Sequence, residues 1–225
     1  LGKRLDYLIA YPHGCVEQTT SGAFPQVYLS QLLDLPPERA GQVQSNVRAG
    51  IERLRTFQTA DGGFGYWAGD GQVDDWSTSY VGHFLMEAER AGYLVPASMR
   101  AKWVSAQRGR AARWTRGEAR SDLAQAYRLY TLALAKEPEL GAMNRLKESS
   151  TLSTEARWRL AAAYQLAGQP EVAKALIAGQ STDIAPYTEL TGTFGSDLRD
   201  EAMILESLVL MNHDPSGTLA LANQL

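Results

Sequence analysis

Asp61-Gly62-Gly63-Phe64-Gly65-Tyr66-Trp67 is the stretch on which the fold turns. Its glycines fall too densely for a helix to continue through them, so the run marks a loop between two apolar-periodic segments. Upstream, Val43, Val47, Ile51, Leu54 and Phe57 recur at spacings of three and four, which predicts an amphipathic helix opened by Pro37. Downstream, Tyr80, Phe84 and Leu85 mark a second helix, capped by Asp75 or Ser77 and closed at Gly92. Gly192-Thr193-Phe194-Gly195 repeats the arrangement: a Gly-x-Phe-Gly loop stands before a helix carrying Ala202, Ile204, Leu205, Leu208 and Met211, with Ser196 or Asp197 as its cap.

The same spacing rules predict helices over most of the remaining chain. Leu5, Leu8 and Ile9 give a short first helix ended by Pro12. Val27, Leu29, Leu32 and Leu33 continue a helix begun near residue 15, with a kink or restart at Pro25. Pro96 to about Trp114 reads as a helix with a basic face of Arg100, Lys102, Arg108, Arg110 and Arg113, a solvated outer surface rather than a docking face. Asp122 can cap a helix through Leu123, Tyr127, Tyr130 and Leu134 that ends before Pro138. Ser153-Thr154-Glu155 opens another through Trp158 and Tyr164 to Gly168, and Pro170 starts its short partner. Residues 180–195 form a loop, and His213-Asp214-Pro215 turns the chain into a last short helix. No stretch alternates with a period of two, so the class is all-α, with antiparallel hairpins that stack or close into a ring.

Composition narrows the function. The 225 residues carry 22 basic and 25 acidic side chains, a formal charge of -3, with no basic tract among aromatics to engage nucleic acid. No apolar run is long enough to span a bilayer. His13, His83 and His213 have no ligand spacing, and the single cysteine rules out an intrachain disulfide and a CxxC metal site, so neither metal nor cofactor is expected.

That cysteine lies in Tyr11-Pro12-His13-Gly14-Cys15-Val16-Glu17-Gln18-Thr19-Thr20-Ser21. Pro and Gly allow a sharp turn, and the polar run after them leads into an apolar-periodic segment, placing Cys15 at or just before a helix N-terminus, where the dipole favours a thiolate. Residues three apart share a helix face, so a thiolate at Cys15 can attack the side-chain amide carbon of Gln18, displace ammonia and leave an internal thioester.

The motif resembles the thioester sequence of the alpha-2-macroglobulin and complement superfamily, its bacterial branch most closely. The paired Gly-x-Phe-Gly loops resemble the repeat shared by thioester domains, terpene cyclases and prenyltransferase β-subunits, which implies an α/α toroid; residues 1–225 then form one thioester-containing helical domain of a larger multidomain protein, without the last hairpin of the ring. The resemblance implies a protease inhibitor of the periplasm or cell envelope, not an enzyme. It would acylate lysine amines of attacking proteases through Cys15 and Gln18, each bond being used once. Other domains of the same protein would be its further partners. It also implies that Tyr11 covers the bond, and Tyr66 and Trp67 on the glycine-rich loop are further shielding residues; for all three, ordinary packing is the other role. Without a neighbouring domain the site is expected to be wet.

Two alternatives remain. The first is a toroid enzyme: a terpene cyclase needs an Asp-x-Asp-Asp or Asp-Asp-x-x-Asp cluster, and Asp70, Asp74 and Asp75 fit neither, reading instead as a polar loop leading to a helix cap. A prenyltransferase-like zinc site needs Asp, Cys and His together, and the single Cys is already paired with Gln18. An inert helical docking module would share every helical feature. Complement-type thioesters that prefer hydroxyl groups use a downstream histidine as a first acyl acceptor. No histidine lies between His83 and His213. Amines are therefore expected to win over hydroxyls when labelled glycerol competes with an equal concentration of methylamine; predominant glycerol ester would refute this preference.

Overall fold

The computed structural model describes residues 8–117, 121–149, 152–190 and 192–225. Its elements are helices α1 (Val16–Ala23), α2 (Gln26–Leu32), α3 (Pro37–Leu54), α4 (Asp75–Arg90), α5 (Ala97–Arg113), α6 (Ser121–Leu134), α7 (Leu140–Lys147), α8 (Thr154–Leu166), α9 (Pro170–Ile177), α10 (Asp197–Met211) and α11 (Pro215–Gln224), with a 3-10 turn at Arg55–Phe57. Among the described residues no strand forms, only the isolated antiparallel bridges Gln58 with Phe64 and Thr188 with Ser196. Those two bridges close the two Gly-x-Phe-Gly loops. The short helix expected from Leu5, Leu8 and Ile9 falls largely outside the described residues.

The chain divides into two compact units, Leu1–Ala106 and Gln107–Leu225. In the first, α3 is the central element and packs against α1 and α2, burying Val43, Val47, Ile51 and Leu54. Gly50 lets α1 approach closely, because a side-chain carbon there would stand 2.8 Å from the Cβ of Ala23. In the second, α8 is wrapped by α6, α9 and α10, and every residue from Trp158 to Tyr164 is buried. A helix buried on all sides needs small residues where neighbours approach, and Ala161, Ala162 and Ala163 supply them. Its buried Arg159 is paired with Glu206 at 2.6 Å, with its guanidinium 4.3 Å from the ring of Tyr130.

Several local expectations shift. At Pro25 the helix restarts rather than kinks: α1 ends at Ala23 and α2 opens at Gln26. The cap of α4 is Asp74, whose carboxylate accepts the Ser77 N–H at 2.7 Å, so neither Asp75 nor Ser77 caps it. Asp122 lies inside α6, where its carboxylate accepts from the Leu123 N–H at 2.9 Å and from the Ser153 N–H at 2.8 Å. Ser153, Ser196 and Asp214 cap α8, α10 and α11. Helix α7 has no counterpart in the sequence reading. On the basic helix, Arg108 pairs with Glu137 and Glu139 and Arg100 with Glu89, exposed or part-exposed ion pairs of small energetic weight.

Gly82, within α4, tests the packing. A helix-interior Gly→Ala change ordinarily gains about 0.5–1 kcal/mol. Here the new carbon would stand 2.0 Å from Trp103 Cζ2, on a ring held in place by its N–H donating to the Thr78 carbonyl at 2.9 Å. Overpacking costs about 1–3 kcal/mol and should win. Gly82→Ala is thus expected to lower the thermal midpoint; a raised midpoint would contradict this packing.

Candidate functional site

The site is the N-terminal turn of α1. Cys15 is the N-cap, in extended backbone, and Gln18 is the third residue of the helix. A helix start leaves its first N–H groups without intrahelical partners, and here side chains and a distant loop take them up. The Cys15 N–H donates to Oε1 of Gln18 at 3.1 Å, and the Gln18 N–H is directed at the Cys15 side chain, forming a capping box with cysteine in the place usually held by Ser or Thr. The Val16 N–H donates to the Tyr66 carbonyl at 3.1 Å, which ties the glycine-rich loop to the helix start. With a carbonyl bond of about 1.23 Å, the amide carbon of Gln18 lies no more than about 4.3 Å from the Cys15 nitrogen.

Gly14 makes this possible. Its φ is +88°, and a Cβ there would stand 2.1 Å from Gln18 Oε1 and 3.0 Å from Cδ. The Gln18 amide occupies the space a side chain would take. Arg53 of α3 closes the turn from the other side, donating through Nη2 to the Gly14 carbonyl at 2.9 Å and through Nε to Thr19 Oγ1 at 3.2 Å. The strand of chain leading in is pinned as well: buried Gln26 donates to the carbonyls of Ala10 and Gly22, both at 2.7 Å, and Asn46 donates to Gln26 Oε1 at 3.0 Å.

Cys15 is only 2% exposed, so the expectation of a wet sulfur is overturned. Tyr66 is half-buried beside it: interaction with the Cys15 side chain, hydrogen bonding foremost, together with partial desolvation and the nearby Glu17 and Asp74 carboxylates, pushes the phenol up to about 12. Tyr11 and Trp67 are placed differently, at 61% and 55% exposed. Gln18 is itself on the exposed side of the helix, and Glu17 accepts from Ser21 Oγ at 2.7 Å one turn on. Asp70 accepts from the Trp67 N–H at 2.7 Å and Asp74 is a cap, so both carboxylates serve the loop. Among the described residues no group of three or more His, Cys, Asp or Glu could hold a metal ion, and no helix is long and apolar enough to cross a membrane. Arg53 had no signal of its own in the sequence, being one arginine at the end of an amphipathic helix.

The fold is that of a known class. Residues 2–115 match the family model described as the A-macroglobulin TED domain. The chain belongs to that family. It is 29% identical to the alpha-2-macroglobulin of Escherichia coli K12 over 231 aligned positions, covering 92% of this chain and 14% of that protein. The crystal structure of Salmonella alpha-2-macroglobulin reacted with methylamine superposes with a TM-score of 0.82 at 28% identity, over 99% of this chain and 16% of that one. Trypsin-activated alpha-2-macroglobulin from Escherichia coli gives 0.78 at 29% identity, over 96% of this chain and 16% of that one. The likeness assigns the chain to the all-α, α/α toroid class expected from the paired loops. The chain spans about a seventh of the length of the curated relative.

The Gly14 turn can be tested directly. Placing a non-glycine residue in the left-handed region costs about 1–2 kcal/mol, and Gln18 would in addition have to leave its place. Gly14→Ala is expected to lose at least that much unfolding free energy in urea denaturation; a variant as stable as the native chain would show that the turn is not built as described.

Proposed function

We propose that Cys15 and Gln18 form an internal thioester that traps proteases by a single acyl transfer. The contact between the Cys15 N–H and Gln18 Oε1 at 3.1 Å carries the reading, because it folds the amide of Gln18 back toward the residue that bears the thiol. An amine nitrogen adds to Cδ of Gln18, the C–N bond forms, and the C–S bond breaks with its electron pair going to Cys15 as thiolate; the amine's proton passes to solvent or to sulfur. The helix N-terminus and the Tyr66 phenol both stabilise that leaving thiolate. The bond is consumed, so the protein is a stoichiometric reactant and not an enzyme.

Two relatives support the reading by what they are: one was crystallised after reaction with methylamine, the other after activation by trypsin. By that kinship the amine belongs to a lysine of an attacking protease, and the protein works in the bacterial periplasm or cell envelope. Water competes for the bond, so the sulfur must be kept dry until use. Tyr66 supplies that cover from within the chain. Tyr11 and Trp67 present apolar surface on the two segments around the motif, which a neighbouring domain of the same protein would cover.

Methylamine is the test. It is expected to add to Gln18 and free one titratable thiol, while Cys15→Ala abolishes incorporation and leaves helical content nearly unchanged by circular dichroism. Equal labelling of the Cys15→Ala variant would sink the thioester reading and leave an inert docking module.

A further inference from the structure

We propose that Arg53 is a positioning residue for the acyl transfer, acting through the Gly14–Cys15 peptide bond; this rests on the thioester reading above. One planar amide carries two contacts at its opposite ends. Its carbonyl oxygen, that of Gly14, accepts from Arg53 Nη2 at 2.9 Å, and its N–H, that of Cys15, donates to Gln18 Oε1 at 3.1 Å. A cation on the carbonyl end draws electron density toward that oxygen and makes the N–H a stronger donor, the way linked hydrogen bonds polarise one another.

The recipient is the atom where charge develops. When a nucleophile adds to Cδ of Gln18, the carbonyl π electrons move onto Oε1, and the Cys15 N–H is already directed at it. The same holds in the step that makes the bond: the Cys15 sulfur adds to Cδ, negative charge builds on Oε1, the thiol proton passes to the amide nitrogen, and collapse expels that nitrogen as ammonia. Both steps therefore draw on one donor, and Arg53 strengthens that donor without touching the reacting atoms. The guanidinium is itself fixed, by Nε on the buried Thr19 hydroxyl at 3.2 Å and by the Phe57 ring 5.6 Å from Cζ. A surface arginine with one contact would sample many positions; three contacts hold this one on the Gly14 carbonyl.

A merely structural Arg53 would tighten the turn, and its loss would loosen the site and hasten attack by amine and water. An electrostatic Arg53 predicts the opposite sign. Arg53→Met removes the charge while keeping an unbranched apolar chain at the position; Arg53→Lys keeps the charge within reach of Gly14. In the intact protein, the rate constant for methylamine-driven thiol release is the readout. Deleting a direct oxyanion donor costs about 100–1,000-fold, so one acting through a peptide is expected to cost about 10-fold in Arg53→Met, with Arg53→Lys within about 3-fold of native. Across a series of amines of rising basicity, the rate should also depend more steeply on basicity in Arg53→Met than in the native protein. Arg53→Met releasing thiol as fast as the native protein, or faster, overturns the proposal. Should Arg53→Met fail to fold, Arg53→Gln against Arg53→Lys makes the same comparison. Native protein that releases no thiol with methylamine overturns the thioester reading and this proposal together, whereas normal native release with no effect of charge removal overturns this proposal alone.

Discussion

The hydrogen bond from the Cys15 N–H to the Gln18 side-chain oxygen is the contact on which the rest of the site depends. A glutamine three residues into a helix can reach back to the cap N–H, provided the chain before the cap leaves room for its amide. Here the absence of a side chain at Gly14 opens the one place where it can fold back, at a φ of +88° that other residues adopt only with strain. The capping box is thus both a helix-stabilising device and the approach of the two side chains proposed to react. Ser or Thr in the cap position would satisfy the helix equally well and leave no chemistry.

Elements far apart in sequence converge to hold this turn. The glycine-rich loop sends the Tyr66 carbonyl to the Val16 N–H and its phenol to the sulfur, while Arg53 grips the Gly14 carbonyl from α3. Gln26 and Asn46 fix the incoming chain at Ala10 through a buried amide pair. Buried amides of this kind cost stability unless their polar atoms find partners, and Gln26 meets that demand, its N–H groups gripping the Ala10 and Gly22 carbonyls while its oxygen accepts from Asn46. The dry sulfur follows: Cys15 is enclosed while Gln18 faces outward, so the bond proposed between them would have one protected end and one presented to an incoming amine.

Much of this was legible in the sequence, for reasons that differ from residue to residue. The loop at 61–67 could be read because glycine density is a local signal, and α3 because five apolar residues recur at helical spacing. The closeness of Cys15 and Gln18 could be read because a spacing of three is also local. Helix α7, LGAMNRLK, escaped because only Ala142, Met143 and Leu146 are buried, and an eight-residue segment holds too few repeats to show a period. The cap of α4 was missed by one residue, since Asp74 and Asp75 are chemically identical and only backbone geometry separates them. The contacts made by Tyr66 and Arg53 depend on how helices and loops meet, which spacing along the chain does not encode. The same holds for the enclosed sulfur, expected to be wet and found buried.

The most direct test of the central claim is the chemical state of residue 18 in freshly purified intact protein, read by tandem mass spectrometry of the peptide that contains it. If Cys15 and Gln18 react, that residue is found as an acyl group joined to Cys15 with loss of one ammonia, or as glutamate where water has since opened the bond. A residue 18 found throughout as unmodified glutamine, with Cys15 a free thiol, would contradict the account, because the bond would then never have formed.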